Sequence, residues 1–328
     1  MQTALGDVVE TIREIKSNAP HWFQSQYRAV TATDYETVLR QLYSDIQDIS
    51  VFGGEDAIPS QPGKVFISIK PKTADVLSDV AKQTISRDIL RKYNLVTVTP
   101  TLIDPTIYKI VLKSVVQFDP NITPLDPTVL RATVYNLLDS YNTSYIGNFL
   151  ESYYNSRLSQ SITELDPSIV SVNTRVSLAR SITALGGSSY DVPQWSYGNR
   201  LYHPATGFNA VDGGILSTNL FTRTGKTYQS GFDEDGAGNI RLYDYINNTR
   251  VYVDAFAGNI DYTTGTLQLK QYDIPSGTVI DFTVIPDSFD VIADNNVILQ
   301  IDTANSAVYI VDKNDLATLR LVDLTRSA

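Results

Sequence analysis

The chain has 328 residues, 42% of them apolar, no cysteine and a formal charge of −10. That length predicts two or three cores, the missing cysteine excludes disulfides, thiolate metal sites and cysteine nucleophiles, and an acidic balance without a dense Lys/Arg patch argues against a general nucleic-acid binder. No run approaches the roughly 20 apolar residues of a membrane span, and the opening Met1-Gln-Thr-Ala-Leu-Gly-Asp7 has neither the basic lead nor the apolar core of a signal peptide.

Residues 1–60 read as a helical lead and connection. Val8, Val9, Ile12 and Ile15 share one stripe, Pro20 stops that helix, and His21-Trp22-Phe23 follows as an aromatic plug. In Thr31-Ala-Thr-Asp34-Tyr-Glu36 the spacing of Thr33 and Glu36 predicts a capping box. Tyr35, Val38, Leu39 and Leu42 then recur at helical spacing. Strands are predicted at Ile46–Phe52 and, after Pro62-Gly63, at Lys64–Lys70.

From 61 to 185 the elements alternate. A helix capped at Ser78 turns Val80, Ile85, Ile89 and Leu90 inward, and a strand at Val96–Thr99 ends at Pro100. A longer strand, Ile107–Phe118, alternates Val111, Lys113, Val115 and Gln117 on a half-solvated face. Asp126 and Pro127 suit the N-cap and first position of a helix with Leu130, Val134, Leu137, Leu138 and Tyr141 inward. A further helix over about 148–164 buries Leu150, Tyr154, Leu158 and Ile162, before a strand at Ile169–Leu178. The order β-α-β-β-α-β predicts a ferredoxin-like, split βαβ unit with both helices on one sheet face.

After Gly186-Gly187 the helical stripes stop. Turn signals at Asp212-Gly-Gly214, Asp233–Asn239, Asn247-Asn248, Ala257-Gly-Asn259, Thr264-Gly265 and Pro275-Ser-Gly277 separate short alternating segments. These predict a β-rich antiparallel domain over 186–328, with strands near 240–245, 250–254, 266–270, 279–285, 297–301, 307–311 and 318–322. The fold class is therefore α+β and multidomain, divided 1–60, 61–185 and 186–328.

No catalytic, cofactor-binding or metal-binding residue is assigned. Asp233-Glu-Asp-Gly-Ala-Gly-Asn239 has the oxygen ligands of a calcium loop without its closing bidentate Glu, and reads as a polar hairpin loop. The glycine pairs lack the strand–loop–helix context of phosphate loops. His21 and His203, the only histidines, form no cluster, and the paired carboxylates Asp45/Asp48 and Glu55/Asp56 read as solvated surface. The chain's 20 tyrosines divide between core, subunit contacts and a carbohydrate-binding face, with Tyr153, Tyr154, Tyr190, Trp195, Tyr197, Tyr202, Tyr243 and Tyr245 as candidates.

The wording Arg28-Ala-Val-Thr-Ala-Thr-Asp-Tyr35 resembles the entry to the J-like domain of phage tail baseplate proteins. Pro62–Ile69, Leu95–Pro105 and Gly147–Val172 resemble that family's first sheet strand, its Pro-containing β-β junction and its final helix and strand. The closer similarity is to the C-terminal half of the large wedge protein of T-even-type contractile phages, with residues from 186 onward like its extension. The resemblance implies a structural, non-enzymatic component of a contractile-tail baseplate wedge, made in the host cytoplasm and located in the virion. It implies joining of wedges into a ring around the hub and rearrangement on sheath contraction. Its partners would be a second copy, as homodimer or inter-wedge pair, and other wedge proteins, with no cofactor, nucleic acid, membrane or small-molecule substrate. The alternative is a host-receptor or carbohydrate-binding tail protein presenting Trp195 or Tyr197.

Overall fold

A computed structural model describes residues 28–57, 60–95, 97–122, 126–187, 189–203 and 215–315. The expected Val8–Ile15 stripe, the His21–Phe23 plug, the Asp212–Gly214 turn and the strand at 318–322 lie outside these. Two compact units divide the chain: one holds residues up to Thr106 with 148–150 and 294–298, the other 107–147, 151–293 and the chain from 299.

In the first unit, helix α1 (Ala32–Leu42) begins two residues before the expected capping box. Thr31, not Thr33, is the N-cap: its hydroxyl accepts from the Asp34 N–H at 3.2 Å, and Asp34 Oδ2 accepts from the Thr31 N–H at 2.8 Å. The segment contains two Thr-x-x-acid patterns in overlapping register, and the hydroxyl of Thr31 reaches the N3 amide while Thr33 lies inside the first turn. Tyr35, Val38 and Leu39 are buried as expected, whereas Leu42 is 44% exposed. Strands β1 (Asp48–Gly53) and β2 (Lys64–Lys70) pair antiparallel, and β2 pairs β3 (Thr99–Ile103) in parallel. The crossover between β2 and β3 is helix α2, formed of Asp79–Thr84, a π segment Ile85–Leu90 and a last turn Arg91–Tyr93. Ser78 caps it, its hydroxyl accepting from the Ala81 N–H at 3.3 Å. Ile85, Ile89 and Leu90 face the core, but Val80, expected inward, is 75% exposed. Pro100 does not end a strand: it sits inside β3, an edge strand that tolerates a residue with no donor.

In the second unit most strands follow one hydrogen-bonded path, from β15 (Val297–Ile301) through β4 (Thr106–Phe118), β5 (Ile169–Gly186), β14 (Val279–Val284), β8 (Leu216–Thr218), β10 (Gln229–Glu234), β11 (Asn239–Ile246), β12 (Thr249–Asp261) and β13 (Thr266–Leu269) to β7 (Gln194–Ser196). Strand β4 (Thr106–Phe118) pairs antiparallel with β5 (Ile169–Gly186) and parallel with β16 (Ala307–Asp312). Helices α3 (Pro127–Ser144) and α4 (Asn155–Thr163) lie between β4 and β5 in sequence. Asp126 caps α3, accepting from the Thr128 N–H at 2.7 Å, with Pro127 at N1. The second helix is shorter than expected: Leu158 and Ile162 are buried, while Leu150 stands at φ +62° and is exposed, as is Tyr154 at the N-cap.

The expected split βαβ sheet does not form. A split arrangement needs a strand inserted between two parallel ones, and β2 and β3 are direct neighbours in a three-stranded sheet with β1. Strands β4 and β5 instead pair antiparallel within the larger sheet. Alternation of apolar residues tells which face of a strand is buried but not which strand lies beside it. The fold remains α+β with a large β-rich part.

In the β-rich part β11 (Asn239–Ile246), β13 (Thr266–Leu269), β14 (Val279–Val284) and β15 (Val297–Ile301) follow the predicted segments, whereas β10 (Gln229–Glu234) takes in the first two residues of the expected Asp233–Asn239 turn and β12 (Thr249–Asp261) runs through the expected Ala257-Gly-Asn259 turn, where Gly258 admits the Gln268 carbonyl of β13. Short strands β6 (Ser189–Tyr190), β7 (Gln194–Ser196), β8 (Leu216–Thr218) and β9 (Phe221–Thr222) complete the sheet. The β11–β12 hairpin closes through Asn247 and Asn248 at φ +50° and +63°, the two positive values of a type I′ turn. An aromatic core holds the sheet, with Phe232 stacked on Phe221 and Phe282 at centroid distances of 5.3 and 5.6 Å. Among the described residues, no helix is long and apolar enough to cross a membrane.

Candidate interface surface

Strands β10, β11 and β12 place one set of alternate residues on a common face. Register sets Asp233 opposite Arg241, Gly231 opposite Tyr243, Tyr243 opposite Tyr252, and Tyr245 opposite Arg250. Asp233 is buried beneath its partners: Arg241 Nε at 2.8 Å, Arg250 Nη1 at 3.2 Å and the Tyr252 hydroxyl at 2.9 Å all donate to it. The guanidiniums also lie on rings, Arg241 at 4.3 Å from the Tyr252 centroid and Arg250 at 4.9 Å from that of Tyr243. Gly231 is the slot for the Tyr243 ring, since a Cβ there would sit 2.5 Å from the tyrosine hydroxyl. The result is a Tyr/Arg layer locked by one buried carboxylate. Burial, ahead of the neighbouring charges, raises the Tyr243 and Tyr252 hydroxyls above their ordinary value, which keeps the Tyr252 hydroxyl a donor to Asp233.

Exposed apolar side chains follow on β12, on both faces of the strand. Val251, Tyr252, Val253 and Phe256 are all exposed, Phe256 at 61%, with Tyr245 beside them. Beyond β11, the described pairing of β12 reaches β13 only at Gly258–Asp261, so the 249–257 stretch is a sheet edge. Register shifts fall at Tyr252–Asp254 and Asp254–Gly258. Bulges there twist the edge and break a continuous backbone ladder. What the edge offers a partner is therefore its side chains. Tyrosine, arginine and large apolar groups held rigid are the chemistry of protein–protein contact.

The tyrosines and tryptophan singled out from sequence fall into both environments, with Tyr202 half-buried. Tyr153, Tyr190, Trp195, Tyr197 and Tyr243 are buried, whereas Tyr154 and Tyr245 are exposed. Trp195 packs edge-on against Phe282 at 5.0 Å, and the Tyr197 hydroxyl donates to the Phe282 carbonyl at 2.8 Å. Neither is presented to a glycan, which corrects that assignment. Exposed Tyr145 and Tyr154 flank Arg157, whose guanidinium lies 5.2 and 5.4 Å from their centroids. Arg241, Arg250, Val251, Val253 and Phe256 were not singled out from sequence. Their signal was the failure of alternation at Val251-Tyr-Val253, where apolar residues occupy both faces of one strand.

Of the Asp233–Asn239 segment, 235–238 form the hairpin loop, while Asp233 and Glu234 end β10 and Asn239 opens β11. Asp233 serves the arginines; the buried Glu234 accepts from the Ile215 N–H at 3.2 Å, the Gly236 N–H at 2.5 Å and the Tyr262 hydroxyl at 2.8 Å. Asp235 accepts from the Ala237 and Asn239 N–H groups at 2.8 and 3.0 Å. Of the surface carboxylates, Asp48 accepts from Arg40 at 3.0 Å and the Phe149 N–H at 2.8 Å, and Asp45 from the Lys72 N–H at 3.1 Å. His203 packs edge-on against Tyr262 at a centroid distance of 4.4 Å.

Residues 31–103 match the family model described as baseplate structural protein gp6, C-terminal domain I. Over 175 residues the chain is 27% identical to baseplate wedge protein gp6 of Enterobacteria phage T4, covering 53% of this chain and 25% of that protein. The chain thus spans about a quarter of that relative's length. A solved structure of the anti-feeding prophage baseplate, six-fold symmetrised, aligns with a TM-score of 0.39 and 18% identity over 52% of this chain and 38% of its own. The first two likenesses are both to baseplate structural proteins, each over part of this chain.

Proposed function

We propose that this chain is a structural component of a phage tail baseplate, located in the virion and working through protein–protein contact without catalysis. The observation that carries the reading is the extent of the family match: residues 31–103 run from the N-cap of α1 to the last residue of β3. A whole folding element, not a local motif, is shared with a baseplate wedge domain. The Tyr/Arg layer and the apolar β12 edge supply contact area of the kind such an assembly uses. In this reading the chain joins wedges into a ring around the hub, contacts a second copy and other wedge proteins, and rearranges when the sheath contracts.

The test is mass spectrometry with lysine cross-linking on intact tails purified from the host that makes this chain. The expected result is recovery of the chain in the tail fraction, with links from Lys270, which neighbours the β12 edge through its N–H to the Ala257 carbonyl, to another polypeptide. Absence of the chain from purified tails would overturn the proposal.

A further inference from the structure

A cavity of about 560 Å³ opens among the loops of the β-rich part, lined by Arg200, His203, Gly238, Asp261, Tyr262 and Asp287 among others. Its size lies within the range of small-ligand sites. One wall is rigid. The Tyr262 hydroxyl donates to the buried Glu234 at 2.8 Å and accepts from the Gly238 N–H at 3.1 Å, so its polar end is fully engaged and its ring is fixed. Gly238, at φ +92°, lies beside the ring: a Cβ there would sit 3.3 Å from the Ile260 carbonyl oxygen and 3.9 Å from Tyr262 Cε2. The imidazole of His203 meets that ring edge-on at 4.4 Å.

The rim is polar and of mixed sign. Asp261 accepts from the Thr263 N–H at 2.8 Å and the Thr264 hydroxyl at 2.8 Å, which fixes its carboxylate while leaving lone-pair capacity. Arg200 contributes a planar fork of donors. Two carboxylates disfavour an anion, the guanidinium and imidazole disfavour a cation, and the polar rim disfavours a purely apolar guest. An uncharged ring with an apolar C–H face and hydroxyls around its edge meets every wall: the face lies on an aromatic ring, and the edge bonds to carboxylate and guanidinium.

We infer that this cavity is a saccharide-binding site for a neutral pyranose, with Tyr262 and His203 as the stacking wall and Arg200 and Asp261 as hydroxyl partners. The site is separate from the Tyr/Arg layer and from the contacts proposed for assembly. The intact chain is titrated with maltotriose, cellotriose, an N-acetylglucosamine trimer and lactose, by saturation-transfer NMR and calorimetry. Arg200 and His203 are exposed, so Arg200→Ala and His203→Ala should melt at the parent temperature. Binding of at least one probe, weakened about tenfold or more in both variants at unchanged melting temperature, is the expected result. Failure of all four saccharides, or binding that both variants retain, would overturn the assignment. So would preferential binding of oligo-lysine or oligo-aspartate over every sugar.

Discussion

Asp233 anchors three side chains at once. It is buried, and two guanidiniums and a tyrosine hydroxyl converge on its two oxygens. Removing one member of a buried ion pair leaves the others desolvated without a counter-charge, at a cost of about 3–5 kcal/mol. Asp233→Ala is therefore expected to lower unfolding stability by that amount in urea titration. The double variant Asp233→Ala/Arg241→Leu should recover part of it, because the stranded charge goes too. A loss below about 1 kcal/mol would show the cluster to be solvated rather than buried. Gly231 is a separate case: an added methyl meets the Tyr243 ring, so Gly231→Ala should cost roughly 1–3 kcal/mol through overpacking.

Elements are where sequence reading succeeded most and where its limits are plainest. The β11–β12 hairpin was legible because Asn247-Asn248 carries its own conformational reason, tolerance of positive φ, between two alternating segments. Helix α3 was legible from Asp126-Pro127 for the same kind of reason. Helix α1 was placed two residues late, since Thr31/Asp34 and Thr33/Glu36 satisfy one pattern equally and periodicity does not choose between them. The structure predicts how they differ: Thr31→Ala should cost about 1 kcal/mol and Thr33→Ala a few tenths, measured by urea unfolding. Strand partnership was the part that alternation could not supply, and it separated β2 and β3 from β4 and β5. Tertiary ties also carry a pH signature. The Tyr272 hydroxyl, at 2.7 Å, and then the Phe256 N–H hold the Asp254 carboxyl below its ordinary value. A depressed carboxyl contributes stability above its unfolded pKa, near 3.9, and loses it as pH falls through the folded value. Tyr272→Phe should thus destabilise the protein at pH 7, with the difference from the parent shrinking below about pH 4.

At the scale of the molecule, aromatic content divides into two roles that composition alone does not separate. Trp195, Tyr197, Phe232 and Phe282 hold the β-rich core together. Tyr252 and Phe256, a few residues apart on a bulged edge, do not contribute to that core and remain exposed. Exposed apolar side chains on a sheet edge beside locked Tyr and Arg groups add little to folding, so what they contribute is contact area. Separable effects on folding and assembly follow. The double variant Val253→Ser/Phe256→Ser should unfold within about 0.5 kcal/mol of the parent, as surface substitutions do. In tails assembled with that variant, the Lys270 cross-links to other polypeptides should disappear or the chain should be lost from the particle. Asp233→Ala should instead reduce soluble yield before assembly, because it acts on the fold. If the double variant enters tails with cross-links unchanged, the β12 edge is not a contact surface, and the Tyr145–Arg157–Tyr154 cluster becomes the next aromatic surface to test by the same pairing of stability with incorporation.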